Sequence, residues 1–364
     1  VILSYNTYNL TKSCIESIRK FTPAGSYEII VIDNASQDAS VAWLKRQKDI
    51  ELVCNKENKG FPGGCNQGME LAEEGNDILL LNSDTIVTPR WLENMQTALY
   101  SEPKVGAVSC ITNSCSNWQQ VEVSYQNYDE MIALAEKINH SNPALWEIRP
   151  RLVGFCYLIK NEAYQIAGFL DERYAPGNYE DDDYSLKLIM AGYNLLVCGD
   201  TFIHHYGSAS FGKHTAPEEQ AEKARKYAAL LQRNQGLFVE KWQVTPDYGA
   251  AHNVIFDVSI PKEGVARIFV VGCNMGMDIC YLQNKYPYAK ISGATENWAE
   301  AALAGKYLDV SYCPNLEQDI FTLLTGKYDY ILLAEKDRQY LDFDKYISKL
   351  MNYLTPDGSI NISE

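Results

Sequence analysis

The sequence contains no apolar run approaching the roughly 18 to 20 residues that cross a bilayer as a helix, and no signal peptide is visible. Peripheral contact is therefore the closest association with a membrane to expect. No CxxC pair or short repeated cysteine spacing occurs. The ten cysteines are scattered, mostly within apolar runs such as those ending at Cys156 and Cys198, and read as small core residues. This usage argues against a disulfide framework or a zinc site and for a reducing, cytoplasmic compartment. Clustered Lys and Arg are also missing: 32 basic against 47 acidic residues leave a net charge of -15, which disfavours a nucleic-acid surface. An acidic chain is compatible with a cation-assisted site for an anionic substrate. The chain opens at Val1 inside an apparent strand without an initiator Met and closes in another, so both ends are expected to be truncated.

What is present is enough for two domains: 364 residues, 46% hydrophobic and 22% charged. Short apolar runs at Val1–Leu3, Glu28–Ile32, Glu51–Cys54 and Asp77–Leu81 alternate with helical patterns at Thr11–Phe21, Ser40–Gln47 and Gly64–Glu74. This is a βαβ rhythm, and it predicts a parallel sheet with ligands beyond the carboxyl ends of its strands. A helix at Pro89–Tyr100 and a strand at Val105–Ser109 follow. The polar stretch Asn113–Pro150 carries no readable pattern. Strands at Leu152–Ile159 and Asn194–Cys198 flank a helix at Glu180–Ala191, and a charged helix from Pro217 closes the first domain. We expect domains at 1–245 and 254–364 joined by a linker at 246–253. The second restarts an α/β pattern with a strand at Ala266–Val271, a glycine turn at Gly272–Gly276 and further strands at Lys290–Ala294 and Tyr328–Leu333.

Several short polar segments stand at predicted strand ends. Asn82-Ser83-Asp84 follows an apolar strand, and Asp84 suits a hard divalent cation whose shell is completed by phosphate oxygens and water; a turn or helix N-cap is the competing reading. Glu180-Asp181-Asp182-Asp183 gathers four carboxylates, one of which could serve as a general base, or which could simply be solvated at a helix N-terminus. His204 and His205 form a pair suited to a borderline cation, with His214 close by in sequence. Asp33, with Ser4 and Tyr5 at the neighbouring strand end, could accept from a base imide or a ribose hydroxyl, or form an Asx turn. Around Asn58–Asn66, glycines 60, 63 and 64 permit close backbone approach, and Lys59 could meet phosphate.

In this order, the segments resemble family 2 glycosyltransferases of the GT-A fold, particularly the bacterial rhamnosyltransferase-like branch, over about residues 1 to 243. The most specific stretch runs from Gly154-Phe155-Cys156 through Gly168–Glu172 and Tyr179–Lys187 to Ala191-Gly192-Tyr193. The resemblance implies a GT-A nucleotide-diphospho-sugar transferase fold, an α/β architecture, followed here by a Rossmann-like α/β domain. It also implies roles. Asp33 would contact the base, with Ser4 and Tyr5 nearby, and Asn82-Ser83-Asp84 would stand for the family's DxD motif with Asn82 replacing the first acid. Asp84 would bind Mn or Mg with His205, preferred over His204 because it precedes Ser210 by five residues. Asp181 would be the general base of an inverting transfer, and Glu180 and Asp183 would orient the acceptor or cap the helix.

The implied partners are a nucleotide-diphosphate sugar donor and a glycan, lipid-linked or protein acceptor. The second domain resembles class I S-adenosylmethionine methyltransferases through Val270–Asp278, Tyr328–Ile331 and Pro356-Asp357-Gly358. Thr295 stands where that family usually has an acid, with Glu296 one place late, and Asn274 replaces a glycine. S-adenosylmethionine binding, methyl transfer and a scaffold without activity are the readings this leaves open, as is a non-catalytic glycan-binding role for the whole chain.

Overall fold

The computed structural model describes residues 1–207, 217–245 and 265–362. The linker expected at 246–253, and His214 and Ser210, lie outside the described residues. The chain divides into two compact units, Val1–Glu147 with Arg151–Lys241, and Ile148–Pro150 with Trp242–Glu364. No described helix is long and apolar enough to cross a membrane.

The first unit begins with β1 (Ile2–Ser4), α1 (Tyr8–Phe21), β2 (Ile29–Asp33), α2 (Ser40–Leu44), β3 (Ile50–Cys54), α3 (Gly60–Leu71) and β4 (Ile78–Asn82). A two-residue strand β5 (Thr85–Ile86) precedes α4 (Trp91–Leu99) and β6 (Val105–Thr112). The polar stretch without a sequence pattern contains α5 (Tyr128–Ile138) and the short β7 (Trp146–Ile148). Then come β8 (Cys156–Ile159), α6 (Asn161–Ala167), α7 (Glu180–Met190), β9 (Asn194–His205) and the 26-residue α8 (Pro217–Trp242).

The strands order as β3-β2-β1-β4-β8-β6-β9-β5, with β7 paired to β9. The first four are mutually parallel, as the βαβ rhythm requires. Beyond them the sheet is mixed, because β8 runs antiparallel to both β4 and β6. All of β2 and all of β6 are buried, the pattern of strands covered on both faces. In register, Ser4 stands opposite Asp33 and Leu3 opposite Asn82, so three strand ends open on one edge.

The helix expected from Gly64 begins earlier, at Gly60, so glycines 60, 63 and 64 all lie in the first turns of α3. Gly60, Gly64 and Gly68 recur every fourth residue on one face. A Cβ on Gly64 would come within 2.2 Å of Leu3 Cδ1, and one on Gly68 within 2.3 Å of Val1 Cγ1, so the stripe lets the helix lie close on β1. Gly60 has φ of +74°, and its Cβ would sit 2.8 Å from the backbone of Pro176. Gly60→Ala should therefore destabilise the fold by about 1 to 3 kcal/mol. A thermal melt should show a larger loss than for Gly25→Ala, where φ is also positive at +86° but nothing lies within 4 Å.

The second unit contains β10 (Arg267–Val271), α9 (Met277–Lys285), β11 (Lys290–Thr295), α10 (Trp298–Ala304), β12 (Val310–Tyr312), β13 (Tyr328–Leu333), α11 (Phe343–Met351) and β14 (Leu354–Ile362). Its five strands are all parallel, in the order β12-β11-β10-β13-β14. This is a Rossmann-like sheet. Alternation along β10 sends Ile268 and Val270 into one apolar layer and Phe269 and Val271 into the other. The Thr295 hydroxyl donates to Glu300 at 2.6 Å, and Glu296 Oε1 accepts from the Leu316 amide at 3.0 Å. Both groups at the place where the resemblance called for an acid are thus engaged within the unit itself.

Candidate functional site

A cavity of about 430 Å³ opens where the parallel strands end. Tyr5 and Thr7 follow β1, Asn34 follows β2, Asn58, Gly60 and Phe61 follow β3, and Asn82 to Asp84 close β4. Pro176 to Asn178, His205, and Tyr227 and Leu230 of α8 complete the wall.

Ser83 and Asp84 form the tight turn between β4 and β5 rather than a helix cap, since α4 begins only at Trp91. The antiparallel pairing of β5 with β9 sets Thr85 opposite His205 and carries the second strand seven residues past its sequence-predicted end at Cys198. His205 Nε2 consequently lies 3.2 Å from Asp84 Oδ1. Its Nδ1 is 2.6 Å from the carbonyl of Ser114. A carbonyl can only accept, so Nδ1 carries the proton in this contact. With Nδ1 protonated, Nε2 faces Asp84, where a charged ring would donate to the carboxylate and a neutral one would offer its lone pair to a cation. Asn113 clamps the His205 backbone through both of its polar groups, at 2.9 and 3.1 Å, and Phe155 stacks on the imidazole with ring centroids 5.2 Å apart.

A carboxylate oxygen and an imidazole lone pair facing each other this closely suit a shared divalent cation, with the remaining positions left to phosphate oxygens and water. Among the described residues no group of three or more His, Cys, Asp or Glu could hold a metal by itself. Two protein ligands are what a substrate-completed shell needs. His204 does not join them: strand alternation turns it to the opposite face, where its Nδ1 meets the Tyr125 hydroxyl and Tyr206 packs against its ring. The expectation of His204 as a second metal-side histidine is corrected accordingly.

At the end of β2, Asp33 is completely buried and is not part of the cavity wall. Its Oδ1 accepts from the Ser36 amide at 2.9 Å, whereas Oδ2 meets no partner among the described residues. A buried orphan acceptor is costly unless a ligand satisfies it. Tyr5 is exposed and lines the cavity. Ser4 does not, because its hydroxyl turns into the fold to Thr11 at 3.2 Å. Lys59 is exposed and is not part of the cavity wall, so the phosphate contact expected of it has no geometric support. Asn34 was passed over in the sequence, yet it organises this corner: its amide donates to Asn58 Oδ1 and the Gly60 carbonyl, and its oxygen accepts from Asn55.

The four acids occupy the first turn of α7 and diverge sharply in environment. Asp181 accepts from the Gly154 amide at 2.9 Å and the Asp182 amide at 3.0 Å, which fixes its orientation. It stands beside the cavity rather than in its wall, one residue removed through Gly154 from Phe155, whose carbonyl accepts from Asn82 N–H. Burial pushes the Glu180 carboxyl well above the usual range, with Asp181 adding to the rise. Asp182 is buried against Arg151; burial raises it to about 7 against the opposing pull of that guanidinium. Asp183 is fully buried and pairs with Lys241 of α8 at 2.7 Å, which removes it from the acceptor-orienting role expected of it. Breaking this pair with Lys241→Met leaves an uncompensated buried carboxylate and should cost about 3 kcal/mol, read as a lowered midpoint in denaturant unfolding.

Residues 1–164 match the family described as "Glycosyl transferase family 2". The matched stretch includes Asp33 and Asn82 to Asp84 and ends before α7 and His205. The chain is 26% identical over 251 residues to "Uncharacterized protein y4gI" of Sinorhizobium fredii (strain NBRC 101917 / NGR234), covering 64% of this chain and 27% of that protein. It is 31% identical over 98 residues to "Putative glycosyltransferase EpsH" of Bacillus subtilis (strain 168), covering 26% of this chain and 28% of that protein. The chain thus spans little more than a quarter of the length of these curated relatives. Among solved structures, GalNAc-T7 with UDP, GalNAc and Mn2+ is similar with a TM-score of 0.45 at 14% identity, over 56% of this chain and 42% of that one. S. aureus TarS 1-349 is similar with a TM-score of 0.41 at 13% identity, over 56% of this chain and 58% of that one.

Proposed function

From a family 2 glycosyltransferase domain over residues 1–164, we infer that the protein transfers a sugar from a nucleoside-diphosphate donor to a hydroxyl of a glycan, lipid-linked glycan or protein. The observation that carries this reading is the pair of Asp84 Oδ1 and His205 Nε2, 3.2 Å apart at a 430 Å³ cavity bounded by the ends of parallel strands. Asp84 and His205 would hold a divalent cation, Mn or Mg, which when bound neutralises charge developing on the departing diphosphate. Asp33, with its unsatisfied buried oxygen, accepts from the nucleobase, and Tyr5 borders the ring. Asn82 and Ser83 face the diphosphate and ribose.

Asp181 takes the proton from the acceptor hydroxyl as that oxygen attacks the anomeric carbon from the face opposite the diphosphate. The bond from anomeric carbon to phosphate oxygen breaks, the nucleoside diphosphate leaves with the electron pair, and configuration inverts without a covalent enzyme intermediate. The two backbone amides on Asp181 support the assignment by holding the carboxylate in one orientation.

A thermal-shift and hydrolysis screen of UDP-, dTDP- and GDP-sugars, with Mn and with a chelator, tests the reading. Ligand at about 100 times its dissociation constant stabilises by roughly 2.7 kcal/mol, a shift of several degrees for a unit of this size. One nucleotide should stand out, and only with the cation. Absence of any nucleotide-dependent shift would refute the donor site.

A further inference from the structure

The segment leading into α7 is held from behind by α8. Carbonyls of Tyr174, Gly177 and Asn178 converge on the side-chain amide of the buried Asn234, each at 2.9 Å, while Asn234 Oδ1 accepts from Arg233. Arg233 also donates to the Ala175 carbonyl. The Tyr227 hydroxyl donates to Asn178 Oδ1 at 3.1 Å. Within this clamp, Gly177, Asn178 and Tyr179 all have positive φ, at 158°, 74° and 74°. Two consecutive non-glycine residues in the left-handed region, Asn178 and Tyr179, persist only where their surroundings over-determine them, and such strain gathers at ligand sites. Pro176, Gly177 and Asn178 form one wall of the cavity.

The chemistry left to Asn178 is narrow. Its oxygen already accepts from Tyr227, which orients the side chain and leaves the amide hydrogens as the donors it brings to the half-buried cavity wall. Two and three residues later in the chain stand Glu180 and Asp181, the second of them the proposed base, whereas Asp33 and Tyr5 are the proposed nucleoside contacts. The geometry points to Asn178 as a specificity-determining residue that donates its amide hydrogens to a hydroxyl oxygen of the transferred sugar, with Asn234 and Tyr227 as its positioning residues. This rests on the reading of the cavity as a nucleotide-sugar site.

Asn178→Gly is the decisive variant, because glycine adopts φ of +74° without strain and only the amide is lost. Calorimetry would use UDP, dTDP and GDP, and the glucose conjugate of each, with Mn present. For the nucleotide that the unaltered protein binds, the variant should keep its affinity for the free diphosphate and bind the glucose conjugate about tenfold more weakly, the worth of one lost hydrogen bond at the upper end of its range. Asn234→Ala should reproduce that split, which a merely structural role would not produce. Equal affinity of variant and unaltered protein for the conjugate, equal loss on the free diphosphate, or an unaltered protein that gains nothing from the sugar would each overturn the assignment. Binding of none of the three diphosphates by the unaltered protein would instead sink the donor-site reading on which it stands.

Discussion

Replacing Asp84 with asparagine should lower sugar transfer by roughly 10² to 10³-fold, the range seen when one charge-stabilising group is removed from a transition state. It should also erase the cation-dependent rise in melting temperature. The expectation follows from what would remain. Asn82 supplies only a neutral amide oxygen, and His205 only an imidazole lone pair already oriented by Ser114. The asparagine side chain keeps the shape of the β4–β5 turn, so the loss is of charge and not of fold. His205→Ala removes a direct ligand and should weaken cation affinity by at least the roughly 10 to 100-fold that loss of an outer-shell partner costs. An Asp84→Asn protein that retains the cation-dependent shift would place the cation elsewhere.

The second large effect concerns α7. Asp181→Asn should cost roughly 10² to 10⁴-fold in turnover, the usual contribution of a general base, while leaving donor affinity unchanged. Glu180→Gln should do far less. Burial already favours the uncharged carboxyl at Glu180 and its Oε2 has no partner among the described residues, so the amide is close to an isosteric replacement. Single-turnover rates with saturating donor, measured for both variants, separate the two acids. Should Glu180→Gln abolish transfer and Asp181→Asn spare it, the roles are exchanged. Asp183 belongs to neither experiment, because its substitution would remove the buried partner of Lys241 and report on folding.

Much of the framework was legible without coordinates. The parallel half of the first sheet follows from short apolar runs alternating with helical patterns, and the strands from β1 to β4 lie within a residue or two of where the pattern puts them. The turn at Asn82 to Asp84 was visible for the same reason: an apolar strand must stop where polar residues begin. The second unit's parallel sheet announced itself through the apolar run before Gly272 and the glycine turn after it.

The rest depended on pairings that no local window contains. Whether His204 or His205 faces Asp84 is set by the register of β5 on β9, more than a hundred residues apart in the chain, and a shift of one residue would exchange the two faces. The glycines after β3 read as permitting close backbone approach, and what approaches Gly64 and Gly68 is the side chains of Leu3 and Val1, which make that face of α3 its contact with the sheet. Four adjacent acids are chemically alike on paper. Lys241, Arg151 and the Gly154 amide, each distant in sequence, separate a folding ion pair, a shielded carboxylate and an oriented candidate base. The sequence by itself determined where β1 to β4 end and therefore where much of the chemistry could occur, because those signals are local, whereas the end of β9 that carries His205 was not among them. Which side chain faces the cavity was decided only by tertiary structure, because strand register and buried partners are long-range properties of the assembled sheet.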